Sequence, residues 1–193
     1  ITRRATAPES NMNIGVGDAW RLLQLEGLLG NRTGVAVLDS GFQRMPDIDF
    51  ELWRSPLRDD ERAASRFMCS GGTPCPFHGT DVVSALAAIP DNGLGAAGPG
   101  GPVVNVLAIE RGAPDTFFGI ISALVNSIRA LASGRRFVNM SFGADADAAV
   151  SLLVIPVVDP VFAVTRATGT LVFASAGNAG VDIDTPGVFG EAV

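Results

Sequence analysis

Four short apolar runs, separated by longer segments, constrain the fold of this chain more than any other feature. The runs have the length of β-strands and cover residues 34–38, 103–109, 137–140 and 170–174. Because they do not alternate apolar with polar residues, both faces of each strand are expected to be covered. Segments with helical patterning lie between the runs, at residues 79–89, 116–133 and 157–168. This order predicts an α/β fold, in which right-handed crossovers build a parallel sheet sandwiched by helices.

The segments outside this alternation are predicted to form one further helix and two loops. Residues 19–29 carry an apolar stripe typical of a helix, with Asp18 as its N-cap and Gly30 at its end. Residues 43–77 are charged and contain proline, and residues 90–102 are rich in glycine and proline, so both are predicted to be surface loops. A length of 193 residues fits a single folded unit.

Charge and hydropathy exclude two classes of partner. The chain has 20 acidic and 14 basic residues, a net charge of −6, and no segment that concentrates positive charge, so a nucleic-acid partner is not expected. No apolar run approaches the roughly 20 residues that span a bilayer, so a membrane segment is not expected either. Residues 1–15 lack the apolar core of a signal peptide, and we expect that any export signal was removed or never existed.

Polar side chains stand where the predicted strands end, at the edge where parallel sheets bind ligands. Asp39 leaves a buried strand and either finds a partner that keeps it ionised or caps a turn. His78, the only histidine, begins a predicted helix. A carboxylate beside it would offset the helix dipole and fix its tautomer; otherwise it merely hydrogen-bonds at a helix start. Asn178 lies among glycines and is either a hydrogen-bond donor to an oxyanion or an ordinary turn residue.

Five short motifs, in one order along the chain, resemble those of the subtilisin-like serine proteases, or subtilases. They cover residues 34–41, 78–80, 92–97, 138–143 and 173–178. Taken in the same order, they resemble the surroundings of the family's catalytic aspartate, its catalytic histidine, the loop after the histidine helix, the substrate-binding strand and the oxyanion-hole segment. The resemblance extends from about Trp20 to Gly180 and implies a subtilisin-like fold.

The resemblance also implies a role for each matched residue. Asp39 would orient His78, His78 would act as general base and acid, and Asn178 would stabilise the tetrahedral intermediate of peptide-bond hydrolysis. Two further groups of residues would bind an extended polypeptide substrate. The group that would pair with the substrate backbone is Ser141, Phe142 and Gly143. The group that would line the primary specificity pocket is Ser175, Ala176 and Gly177.

The nucleophilic serine of the family follows the oxyanion asparagine, and no serine follows Asn178 in this sequence. We therefore expect residues 1–193 to be the N-terminal portion of a single subtilisin-like peptidase domain, with a sheet incomplete on its C-terminal side and no activity alone. The serine-bearing C-terminal remainder would belong to the same or a separate chain. The complete protein would be a secreted serine endopeptidase; the alternative is a non-catalytic, subtilase-like module that binds peptides without hydrolysing them.

Metal ions enter only as structural alternatives, because the implied chemistry requires no cofactor. Asp47 matches an acidic ligand of the calcium site in many relatives, which leaves a structural calcium ion open, although the loop after the histidine helix is shorter here. Cys69 and Cys75 either join in a disulfide, the preferred interpretation and one that agrees with export, or bind zinc with His78 and Asp81. Asp81 replaces a histidine usual in the family and either raises the proton affinity of His78 or is an ordinary first-turn acid.

Overall fold

A parallel β-sheet of five strands lies at the centre of the structure. The computed structural model describes residues 14–53, 68–69, 73–111, 125–126, 128–141 and 148–175. In chain order the strands are β1 (Thr33–Asp39), β2 (Phe50–Trp53), β3 (Met68–Cys69), β4 (Thr73–Pro74), β5 (Val104–Glu110), β6 (Phe137–Met140) and β7 (Leu171–Ala174). The sheet has the order β2-β5-β1-β6-β7, and every neighbouring pair is parallel. Strands β3 and β4 form a separate antiparallel pair.

Helices cover both faces of the sheet around its central strands. They are α1 (Val16–Leu25), α2 (His78–Ala87) and α3 (Ala148–Ala167), and residues 125–126 and 128–131 are helical as well. The last two stretches fall within the helix predicted at residues 116–133, most of which lies outside the described residues. The predicted α/β fold with a parallel sheet is thus confirmed. Of the helices described, none has the length and apolar character required to cross a membrane.

Strand β1 divides its side chains between two apolar clusters. Val35 and Val37 pack with Val83 of α2 on one face of the sheet. Leu38 packs with Leu131 on the other face, where α3 adds partly buried side chains. Full burial of one aliphatic side chain contributes about 2 kcal/mol to stability. Both faces of β1 are therefore covered, as its apolar sequence predicts.

Strand β7 is not covered as predicted. Leu171 and Phe173 remain 57% and 56% exposed. Both lie on the sheet face that α2 covers, beside Phe137 and Asn139 of β6, but α2 packs on β1 and β5. Among the described strands, β7 pairs with β6 alone. The prediction fails here because an apolar run shows that a strand can be buried without showing which element buries it.

The loop prediction for residues 43–77 is wrong where β2, β3 and β4 form. Strand β2 is held by its pairing with β5 and by Phe50, which is buried and packs against Phe42 with the ring centroids 5.9 Å apart. A four-residue strand at a sheet edge is too short to show a clear period in the sequence, so the pairing decides its conformation. Residues 90–102 contain neither helix nor strand, which confirms the second predicted loop.

The bounds of α1 and α3 also differ from prediction. Gly15, with a φ of 76°, is the N-cap of α1, and Asp18 lies in the first turn, where the helix dipole still favours an acid. Helix α3 begins well before residue 157 and contains both Pro156 and Pro160. Both prolines are exposed, so water can replace the backbone hydrogen bonds that they interrupt.

Candidate active site

A buried carboxylate and the chain's one imidazole meet at the carboxyl edge of the sheet. Asp39 is the last residue of β1 and is fully buried, and His78 is the first residue of α2. Nδ1 of His78 lies 2.8 Å from Oδ1 of Asp39. The same carboxylate oxygen accepts a hydrogen bond from the backbone N–H of Ser40, at 2.7 Å. The structure therefore brings together the two residues that the sequence singles out for proton transfer.

The carboxylate fixes the tautomer of the imidazole. An ionised carboxylate can only accept hydrogen bonds, so the nitrogen of His78 that faces Asp39 carries the proton. In the neutral ring, Nε2 is then the basic nitrogen. The side chain of His78 is 23% exposed, so the imidazole is accessible while the carboxylate behind it is not. This arrangement suits a general base that takes a proton at Nε2.

Neighbouring charges raise the pKa of His78 above its ordinary value of 6.5. The hydrogen bond to Asp39 is the largest cause, and burial of the ring opposes it. The negative charges of Asp39 and Asp81 raise the pKa further, whereas the cation of Arg111 lowers it. Asp81 thus acts on His78 in the direction anticipated for an acid one helical turn away. On balance, these neighbours make the imidazole easier to protonate than a histidine in water.

The start of α2 is attached directly to the turn that follows Asp39. The N–H of Gly79 donates to the carbonyl of Ser40 at 2.8 Å, and Thr80 donates to the carbonyl of Gly41 from both its N–H and its hydroxyl, at 3.2 and 3.1 Å. A Cβ on Gly79 would lie 2.7 Å from the ring of Phe42, so only glycine allows this approach. The glycine and threonine after the histidine therefore hold the helix against the turn.

Two charged residues at the end of β5 also belong to the site, although sequence reasoning assigned them no role. Glu110 and Arg111 are each 3% exposed. Oε2 of Glu110 accepts a hydrogen bond from the N–H of Gly41 at 3.2 Å, and the N–H of Arg111 donates to the carbonyl of Asp39 at 2.7 Å. The available signal was a glutamate and an arginine directly after an apolar run, at the same sheet edge as Asp39.

Two of the predicted substrate-binding residues lie at the same edge. Ser141 follows β6, and its hydroxyl accepts a hydrogen bond from Nδ2 of Asn139 at 2.8 Å. Ser175 follows β7, and its N–H donates to the carbonyl of Met140 at 3.2 Å. The remaining predicted site residues lie outside the described part of the chain: Phe142, Gly143, Ala176, Gly177 and Asn178.

Asp47, the acidic residue of the calcium alternative, accepts hydrogen bonds from protein donors through both of its carboxylate oxygens. Its Oδ1 accepts a hydrogen bond from Nδ2 of Asn92 at 2.8 Å, and its Oδ2 accepts one from the N–H of Ala96 at 2.9 Å. The amide of Asn92 is oriented by the N–H of Leu94, which donates to Oδ1 of Asn92 at 2.9 Å. Both oxygens of Asp47 therefore have protein donors, and a cation at this carboxylate would compete with them for its lone pairs. Within the described ranges, no three His, Cys, Asp or Glu side chains are grouped as a metal site.

Comparison with known proteins gives one family and one fold. Residues 30–193 match the sequence profile of the subtilase family. No curated protein matches the chain by sequence. Three similar solved structures are MycP1 from Mycobacterium smegmatis (19% identity, TM-score 0.52), a lanthipeptide protease (20%, 0.53) and a periplasmic assembly from the ESX-5 inner membrane complex (19%, 0.57).

The three structural matches cover 91%, 86% and 86% of this chain but only 48%, 45% and 45% of the respective solved chains. The chain therefore spans about half the length of the solved structures that it matches. At these identities the likeness shows a shared fold. The sequence profile carries the assignment further, because it extends over most of the chain: this protein belongs to the subtilase family.

Proposed function

We propose that the chain supplies the aspartate, the histidine and the oxyanion asparagine of a serine endopeptidase. The observation that carries this proposal is the 2.8 Å contact between His78 and a fully buried Asp39 at the carboxyl edge of a subtilase sheet. A hydrogen bond of this kind orients an imidazole and stabilises its protonated form. Membership of the subtilase family supports the reaction class.

In the proposed reaction, Nε2 of His78 takes the proton of a serine hydroxyl while the serine oxygen bonds to the carbonyl carbon of the scissile peptide. Asp39 stabilises the imidazolium that forms. The side-chain amide of Asn178 donates a hydrogen bond to the negatively charged oxygen of the intermediate. His78 then gives its proton to the leaving amine as the C–N bond breaks, and water hydrolyses the acyl-enzyme by the same sequence of proton transfers.

The proposed substrate is an extended polypeptide. Residues Ser141, Phe142 and Gly143 pair with its backbone, and residues Ser175, Ala176 and Gly177 line the primary specificity pocket. The positions of Ser141 and Ser175 support this assignment, because they follow neighbouring parallel strands at the edge that holds Asp39. Residues 1–193 are assigned to the N-terminal portion of one peptidase domain, and the nucleophilic serine to a remainder in the same or a separate chain.

The cysteines are proposed to form one disulfide, between Cys69 and Cys75. The pairing of Cys69 with Thr73 across β3 and β4 supports it, because Cys75 lies only two residues after Thr73. No free cysteine occurs among the described residues. A disulfide fits an extracytoplasmic location, and one similar structure belongs to a periplasmic assembly.

Labelling with a fluorophosphonate tests the proposed function. The native gene product is expressed from its full reading frame, its intact mass is measured, and it is treated with the probe, which reacts only with an activated serine. We expect labelling and peptide hydrolysis in the wild type, and an activity loss of about 10⁴-fold in Asp39→Asn. Asp159→Asn, which changes an exposed acid on α3, is the matched control and should retain activity.

Two results would overturn the proposal. Full activity in Asp39→Asn or His78→Ala would remove the proton-transfer pair from the mechanism. Tight peptide binding by the complete native protein, with neither labelling nor turnover, would instead support the alternative of a non-catalytic peptide-binding module.

A further inference from the structure

Glu110 is a buried acid that faces the turn after Asp39. Its Cα is the cross-strand partner of Asp39 in the parallel pairing of β5 with β1. Its side chain is 3% exposed, and its Oε2 accepts a hydrogen bond from the N–H of Gly41 at 3.2 Å. Burial of a carboxylate is costly unless hydrogen bonds compensate for lost water. The hydrogen bond to Gly41 is therefore one of the contacts through which Glu110 can act on its surroundings.

The peptide unit that Glu110 holds is connected to the histidine helix. Gly41 has a φ of 78°, which favours glycine. Its N–H is bound by Glu110, and its carbonyl accepts hydrogen bonds from the N–H and the hydroxyl of Thr80. Thr80 lies two residues after His78 in the first turn of α2. Gly41 is thus fixed from the sheet on one side and from the helix on the other.

We propose that Glu110 is a positioning residue for the Asp39–His78 pair. By binding the N–H of Gly41, it fixes the turn after β1, to which the start of α2 is hydrogen-bonded, and so maintains the contact between the carboxylate and the imidazole. This inference rests on the proposed function, which gives that contact its catalytic meaning. Glu110 acts through the turn, so it is not assigned a contact with substrate.

The titration of His78 reports on this positioning. The charged groups that act on the imidazole are Asp39 from β1, Asp81 from its own helix and Arg111 from the end of β5. A change at Glu110 that moves one of these groups relative to the ring alters the pKa of His78. Loss of the Glu110 charge is a separate cause, which a variant that keeps the hydrogen-bond acceptor distinguishes. Because the chain has one histidine, its ring signals are resolved without assignment by NMR.

The experiment is an NMR pH titration of His78 in the 193-residue chain, in the wild type, in two variants of Glu110 and in one control variant. Glu110→Ala removes the acceptor, leaves the N–H of Gly41 without it, and should shift the pKa of His78 downward, toward 6.5. Glu110→Gln removes the charge but keeps an amide oxygen that can accept the hydrogen bond, and should retain most of the wild-type pKa. Glu51→Ala, which removes an exposed acid from β2 of the same sheet, is the control and should leave the pKa unchanged.

Three outcomes would overturn the positioning role. Equal downward shifts in Glu110→Ala and Glu110→Gln would show an effect of charge rather than of the hydrogen bond. A lower melting temperature in Glu110→Ala, with an unchanged pKa, would show a merely structural residue. If Glu110→Ala does not fold, Glu110→Asp is used instead, because aspartate keeps the negative charge but is too short to reach the N–H of Gly41. An unchanged pKa of His78 in Glu110→Asp would also contradict the proposal.

Asp39→Asn separates this inference from the function on which it rests. A downward shift in Asp39→Asn together with no shift in Glu110→Ala would refute the positioning role alone. No shift in Asp39→Asn would refute the interaction between Asp39 and His78, and with it the basis of the proposed function.

Discussion

Strands β1 and β7 are both apolar and belong to one sheet, yet their surroundings differ. Strand β1 is flanked by β5 and β6 and covered on both faces, so its last five residues are buried. Strand β7 pairs with β6 and exposes Leu171 and Phe173. Neighbouring elements, rather than composition, therefore decide whether an apolar strand becomes core.

The same difference distinguishes the residues that follow the two strands. Asp39 leaves a strand from which water is excluded, so its interaction with His78 is strong and its position is fixed. Ser175 leaves β7 in a partly exposed position, and its contact with β6 is a single backbone hydrogen bond. A buried strand end supplies a fixed charge, whereas an open strand end supplies backbone groups that remain accessible to a ligand.

The largest predicted effect compares one substitution in the two strands. Leu38→Ala in β1 removes a fully buried side chain and should lower the free energy of unfolding by about 3–5 kcal/mol. Leu171→Ala in β7 removes a side chain that is 57% exposed, and should lower it by less than about 1 kcal/mol. Urea denaturation followed by circular dichroism measures both. Equal losses would mean that β7 is as well packed in solution as β1.

The second prediction concerns acids instead of aliphatic residues. Asp47→Ala removes the carboxylate that accepts hydrogen bonds from the side chain of Asn92 and the backbone N–H of Ala96. Because these two donors lose that acceptor, the substitution should lower the free energy of unfolding by about 1–3 kcal/mol. Asp159→Ala changes an exposed acid on α3 and should have an effect within about 0.5 kcal/mol. The same urea denaturation applies. A loss in Asp159→Ala that equals the loss in Asp47→Ala would show that burial does not distinguish these acids.

The sequence predicted the parts of the molecule in which local pattern and tertiary environment agree. Asp39 and His78 could be identified because a charged residue after an apolar run and a single histidine at a helix start are visible without a structure. The proximity of Ser141 to Asp39 followed from the common edge of parallel strands.

The parts that the sequence could not predict depend on contacts between distant residues. Phe50 forms part of a strand because β5 lies beside it, and Leu171 is exposed because none of the described helices packs over it. The proposed role of Glu110 required knowledge that the N–H of Gly41, in the turn after β1, lies within hydrogen-bond distance of its carboxylate. The exposed Pro156 and Pro160 within α3 show that a proline does not always mark a helix boundary.

The third prediction is a dependence of stability on pH through the buried pair. The pKa of His78 is raised in the folded chain, so its protonation stabilises the fold. This contribution is fully present below 6.5, the ordinary pKa of histidine, and is lost as pH rises through the folded pKa. We expect the free energy of unfolding to fall over that interval in the wild type, by less than in the two preceding comparisons.

Asp39→Asn supplies the contrast for the pH dependence. The variant lacks the main cause of the raised pKa, so the difference between its curve and that of the wild type should shrink as pH rises. Urea denaturation at a series of pH values from 5 to about 9 measures both curves. A wild-type stability that increases over this interval relative to the variant would contradict the sign of the shift.

The smallest expected effect is that of calcium on the loop that surrounds Asp47. Both oxygens of this carboxylate already accept hydrogen bonds from Asn92 and Ala96, and a Cβ on Gly95 would collide with its Oδ2. The loop is therefore closed by protein donors, and neither a chelator nor millimolar calcium should change the melting temperature. If a calcium site were present, a calcium concentration about 100 times its Kd would add about 2.7 kcal/mol to the free energy of unfolding. That would raise the melting temperature of a chain of this length by roughly 5–10 °C. Calorimetry with and without calcium would detect such a rise, and a rise that disappears in Asp47→Asn would mean that a cation displaces these donors in solution.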